Sequence, residues 1–196
     1  MISLLVILEE LVHTDFGTMD LTSVRQRVAG QAPASTVAGQ ACAFLDALAV
    51  VQQRPREEVY VWAGQRIVGS LVSEFPAVFK GHTSTRTLLL QLGQAAPALV
   101  SEVLPESVCP DLWEDFLDSE TIRIGFDGPE EAAWVLQGLA AGMGAHFGER
   151  VDASRGVAPA ALTDRRLVDV KVVPERRGGG RGGRPSFGLS SAGTRS

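Results

Sequence analysis

Soft metal ligands are scarce in this chain. Its 196 residues include two cysteines, Cys42 and Cys109, and three histidines, at positions 13, 82 and 146. The cysteines form no CxxC pair, so the spacing argues against a structural zinc site and reads as free thiols in a reducing cytoplasm. No two histidines have the spacing of a helical metal pair. Nor is there a GxSxG elbow, an HExxH pair or a phosphate-cradling loop: the stretch from Gly178 to Gly183 follows no suitable strand and opens no helix. The doublets Glu9-Glu10 and Glu130-Glu131 are adjacent in sequence, so on a helix their side chains diverge by about 100° and do not converge on one substrate. Residue chemistry alone therefore does not suggest an enzyme. Long apolar runs are missing too. None reaches the ~20 residues of a membrane-spanning helix, and the apolar start from Met1 to Leu8 lacks a basic leader and is broken by Glu9-Glu10. It reads as the start of a core helix in a soluble, cytoplasmic protein.

What is present is one domain's worth of apolar sequence and an uneven charge. The hydrophobic share of 45% and charged share of 21% are those of a globular chain. Residues 175–196 hold five Arg, one Glu and seven Gly, leaving 13 Lys and Arg against 22 Asp and Glu in the body. An acidic body disfavours a broad nucleic-acid surface, which needs clustered cations. The Arg/Gly-rich end is too poor in apolar residues to repay the entropy of ordering and is expected to be a disordered tail. An accessory nucleic-acid contact through that tail is the reading from a different class; with Phe187 as its single aromatic, the tail offers few stacking platforms.

Periodicity predicts helices first. Leu4, Leu5, Leu8, Leu11 and Val12 recur with helical spacing up to Gly17, and a second helix covers about Leu21 to Ala29. Cys42, Leu45, Leu48 and Val51 share one face of a third helix. Pro55 with Glu57 and Glu58 opens a fourth, which runs to Pro76. Thr83 or Ser84 can cap another helix, carrying Leu88, Leu89 and Leu92, with a bend expected at Pro97. Alternation from Ser119 to Phe126 predicts a strand, followed by a turn at Asp127-Gly128-Pro129, a helix from Glu130 to Phe147 stopped by Gly148, and strands near Arg150 to Ala153 and Arg166 to Val173. His13 and His146, near helix ends, read as structural. Helices followed by strands with one helix inserted indicate an α+β fold.

Several segments also resemble a known family. They are the opening from Met1 to Val12 with Phe16-Gly17, Phe75-Pro76-Ala77-Val78-Phe79, the Leu-rich stretch to Leu104-Pro105, and Gly144-Ala145-His146-Phe147-Gly148-Glu149-Arg150-Val151. Together these are similar to the heme-NO-binding (H-NOX) domain, the gas-sensing domain of soluble guanylate cyclase and its bacterial relatives. The resemblance covers residues 1–173 and divides the chain into an H-NOX-like domain at 1–174 and the tail at 175–196. It implies a helical N-terminal half and an antiparallel sheet enclosing heme b, with NO or another diatomic gas at the iron. It also implies output to a separate cyclase, kinase or diguanylate cyclase partner.

The resemblance further implies a pocket bordered by Leu4, Pro97, Pro110 and Phe126. The position of the proximal histidine falls at Pro97 and that of the proline pressing on the porphyrin at Pro110. The Tyr-x-Ser-x-Arg motif that holds the propionates falls at Phe126, Gly128 and Glu130. Pro97 has no donor for iron, Phe126 and Gly128 lack hydroxyls, and Glu130 reverses the charge of the clamp. Histidine-ligated heme is therefore expected to be lost or badly weakened. A working NO or O2 sensor would need another iron ligand, with His82 the first choice and Cys109 the next.

Overall fold

The computed structural model describes residues 3–31, 34–91, 112–157 and 165–174. Four helices come first. Helix α1 (Leu4–Phe16) stops at Gly17, whose φ of 91° suits a residue without a side chain and whose N–H is donated to the carbonyls of Val12 and His13. Helix α2 (Thr18–Ala29) follows at once. Helix α3 (Val37–Val51) is capped by Thr36, whose Oγ1 accepts the Gly39 N–H at 3.0 Å. Helix α4 (Arg56–Glu74) carries Glu57 and Glu58 in its first turn, where the helix dipole favours acids.

The chain then turns through the short α5 (Pro76–Phe79) into α6, described over residues 85–91. Ser84 caps α6 as the sequence predicts: its Oγ accepts the Thr87 N–H at 3.2 Å. A second acceptor comes from far along the chain. The Glu149 carboxylate takes the Thr85 N–H at 2.7 Å and fastens α6 to the C-terminal half. Leu88 and Leu89 are buried; Leu92 and Pro97, with its expected bend, lie outside the described residues.

The C-terminal half is β1 (Trp113–Phe116), β2 (Thr121–Phe126), α7 (Glu130–Phe147), β3 (Glu149–Arg155) and β4 (Arg166–Pro174). The sheet order is β1-β2-β4-β3, antiparallel throughout. Register places Ile122 opposite Val170 and Ile124 opposite Val168. Alternation thus turns Ile122, Ile124, Phe126, Val168, Val170 and Val172 to one face, where they form a single cluster with Ala140 and Met143 of α7. On the other face Arg123 and Asp169 form a two-pronged ion pair at 2.7 and 2.8 Å. This is the α+β architecture that the sequence pattern predicts, with one strand more: β1 was not foreseen.

A second cluster, of Leu8, Val12, Leu21, Val24, Phe44, Leu48 and Val59 among others, fills the helical half. The two halves meet where α4 packs along α7. Their backbones approach too closely for side chains. A Cβ at Gly64 would strike the Val135 carbonyl, one at Gly138 the Val61 carbonyl, and one at Gly142 the Gln65 carbonyl. Gly69, on the same α4, has open space around it. Gly138→Ala is therefore expected to lower unfolding free energy by about 1–3 kcal/mol through overpacking. Gly69→Ala should stabilise by roughly 0.5–1 kcal/mol through helix propensity. Urea denaturation of the two variants beside the parent checks this, and equal effects would refute the tight-seam interpretation.

Candidate functional site

Next to the seam, the first turns of α7 and the middle of α4 stand apart from α1 and α3 and border a half-open cavity of about 370 Å³. Helix α1 contributes Leu4 and Leu8, and α3 contributes Ala41, Cys42 and Leu45. Helix α4 supplies Tyr60, Ala63, Gly64 and Ile67; Phe126 comes from the end of β2; Glu131, Ala132, Val135, Leu136 and Leu139 come from α7. The walls are aliphatic and aromatic because each helix turns its core stripe inward here. The volume lies toward the small end of ordinary ligand pockets, roughly 300–1,000 Å³.

The few heteroatoms gather at one side. Arg56 bridges two carboxylates, Asp46 at 2.8 and 3.0 Å and Glu131 at 2.9 Å. The Tyr60 hydroxyl donates to Asp46 Oδ1 at 2.9 Å and lies 3.2 Å from the Cys42 carbonyl oxygen. Burial holds the Tyr60 phenol well above its usual range, and the neighbouring Cys42 and Asp46 add to the effect. The Cys42 thiol is also pushed up, first by burial and then by the charges of Glu131 and Asp46, against a hydrogen bond with Tyr60 that pulls the other way. Both groups therefore stay protonated and neutral near pH 7. This rim was not foreseen from the sequence.

Two of the expected pocket positions, Leu4 and Phe126, do face one cavity. Pro97, Pro110 and Cys109 lie outside the described residues. Gly128 is exposed in the turn after β2, and a Cβ there would sit 3.2 Å from the Phe126 ring. Glu130 opens α7 and its carboxylate pairs with Arg155 of β3. His82 stands between α5 and α6, donates its N–H to the Phe79 carbonyl at 3.2 Å, and is not part of the cavity wall. His146 ends α7 with its ring edge-on to Phe79 at 5.5 Å, and His13 is exposed on α1. None of the chain's three histidines lines the cavity. Among the described residues, no group of three or more His, Cys, Asp or Glu could hold a metal.

In fold the chain is similar to solved H-NOX structures. An H-NOX protein from S. oneidensis in the Fe(II)NO ligation state superposes with a TM-score of 0.70 at 16% identity, over 86% of this chain and 97% of that one. The H-NOX domain from Shewanella oneidensis in the Fe(II)CO ligation state, solved by NMR, gives 0.71 at 16% identity, over 86% and 96%. An Fe(II) unliganded H-NOX mutant from K. algicida gives 0.69 at 10% identity, over 88% and 96%. No family model and no curated protein sequence matches the chain. The architecture is thus the H-NOX fold, carried by a very distant sequence. No described helix is long and apolar enough to cross a membrane.

The cavity residues do not fit heme held by a histidine. The possible iron donors in the wall are a neutral thiol and a phenol already committed to Asp46, and the guanidinium beside them is taken by Asp46 and Glu131. Propionates would meet carboxylates where they need a free cation. The state of Cys42 has its own test. In a Cys109→Ser chain, alkylation of Cys42 by iodoacetamide should need a higher pH than an ordinary cysteine with its pKa near ~8.5, because only the thiolate reacts. A half-maximal rate at or below that pH would contradict the half-buried, neutral thiol.

Proposed function

We propose that this chain is a cytoplasmic regulatory domain built on the H-NOX fold, spanning residues 1–174. It works without histidine-ligated heme b and acts on a separate signalling protein of the cyclase, kinase or diguanylate cyclase class. It carries out no catalysis of its own. The observation that carries this reading is the donor set of the cavity: no histidine in its wall, and the rim carboxylates Asp46 and Glu131 already paired with Arg56. The sequence agrees, since no histidine occurs between His82 and His146, the interval in which the resemblance places the iron ligand.

Helix α7 supports a signalling role. Its first turns form cavity wall, and its far end meets α5 through His146 and Phe79. Directly beyond it, Glu149 holds the N-terminus of α6. A change in what the cavity contains therefore bears on the same helix that seats α5 and α6. Such a path has the continuity that coupling between a site and a surface requires.

Hemin titration of the full chain tests the reading. The expected result is weak, non-stoichiometric uptake with no Soret band of histidine-ligated iron, unchanged in His82→Ala. One heme bound per chain, with a spectrum that His82→Ala alters, would overturn it in favour of an NO or O2 sensor with a non-standard ligand.

A further inference from the structure

The absence of a fit for porphyrin leaves a built cavity whose chemistry selects something else. Three features define that selection. The volume of about 370 Å³ is roughly two to three times that of an apolar cavity of ~150 Å³ that stays dry and takes up benzene. Its floor includes backbone at Gly64, held by contact with Val135 and Leu139, so the space cannot close by a shift of α4 toward α7. Every charged group at its rim already has a partner: Glu131 and Asp46 share Arg56, and the Tyr60 hydroxyl is turned to Asp46.

An anion entering this space would be desolvated beside two carboxylates with no free cation among the described residues of the rim to receive it, the arrangement that makes burial of charge most costly. A polar but neutral ligand would find the Tyr60 hydroxyl already engaged. An uncharged hydrocarbon-like molecule meets neither obstacle, and it recovers the dispersion contacts that an unfilled apolar wall forgoes. We propose that the cavity between α1, α3, α4 and α7 is a binding site for an uncharged, apolar small molecule of two or three rings or an aliphatic chain of similar bulk. This rests on the reading that the site does not carry histidine-ligated heme, and it names the class of ligand that would set the state of the domain.

The test uses the full chain and N-phenyl-1-naphthylamine, a neutral apolar fluorophore. Fluorescence should rise and saturate at one probe per chain. Dodecanol should displace the probe at least tenfold better than dodecanoate at pH 8. Ala132→Trp, which puts an indole into the cavity from a half-buried position on α7, should weaken binding at least tenfold while leaving the circular dichroism spectrum unchanged. Should that variant fail to fold, Glu131→Lys provides a second arm: adding a cation at the rim should bring dodecanoate to within about threefold of dodecanol.

Non-saturable binding, no binding, equal displacement by dodecanoate in the parent chain, or full binding by a folded Ala132→Trp chain would overturn the proposal. So would a folded Glu131→Lys chain with unchanged ligand preference. The two readings fail separately. Stoichiometric histidine-ligated hemin removes the heme-independent reading whatever the fluorophore does. Failure of both hemin and fluorophore to bind removes only the ligand assignment.

Discussion

The contact between the backbones of α4 and α7 is the constraint on which the rest of the structure depends. Both helices belong to large cores, α4 to the helical cluster and α7 to the cluster over the sheet, and only hydrogen-sized side chains at Gly64, Gly138 and Gly142 let them touch. The helices run in the same direction, since Gly64 meets Val135 and Leu139 while Val68 meets Gly142. Toward their N-termini the small residues give way to Tyr60 and Trp134, whose rings stand edge to face at 5.8 Å, and then to the Arg56–Glu131 pair. The cavity lies beside this seam, with Gly64, Val135 and Leu139 among its lining residues, and α1 and α3 close the other side with Leu4, Leu8 and Leu45.

Electrostatics at the rim then decides what such a space can hold. Ion pairs as exposed as Arg56–Asp46 contribute little to stability, of order 0–1 kcal/mol. Their importance here is occupancy. A guanidinium committed to Asp46 and Glu131 is not available to a ligand carboxylate, and displacing either partner would leave a carboxylate unpaired beside an apolar wall. The neutral state of Tyr60 and Cys42 follows from the same surroundings, because desolvation and nearby negative charge both disfavour forming a phenolate or thiolate. One small cluster therefore removes the anion receptor and both the thiolate and phenolate donors at once.

Much of this fold was legible in the sequence, for local reasons. The periodicity of Leu4 to Val12, the stop at Gly17 and the helix from Glu130 to Phe147 with Gly148 in a left-handed conformation are decided within a turn or two of chain. Strand β1 was not legible, because Glu114 and Asp115 interrupt any alternation in Trp113–Phe116. It forms for non-local reasons: the absence of a side chain at Gly125 makes room for the Trp113 indole, and Asp118 closes the hairpin by accepting the N–H groups of Glu120 and Thr121 at 2.7 Å. At the site, Leu4 and Phe126 were placed by resemblance alone, since nothing in their own neighbourhoods marks them as cavity residues. The Asp46–Arg56–Glu131 bridge could not be read at all. Its members sit on three helices, and Arg56 looks like any solvated residue at a helix start.

Glu130 shows why a departure from the pattern expected by resemblance is best judged together with its partners in the fold. Taken from the sequence, a carboxylate where the propionate-clamping arginine is expected is only a lost attraction. In the fold it is also a gained one: Glu130 pairs with Arg155 of β3 and ties the first turn of α7 to the end of the sheet-edge strand. A guanidinium at position 130 would face Arg155 and replace an ion pair with a like-charge contact. A similar coupling links Phe126 to Gly128, where a side chain would press on the ring at 3.2 Å. The positions to which the resemblance assigns a propionate clamp thus take part in the packing of the domain itself, and fitting such a clamp there would require several changes at once.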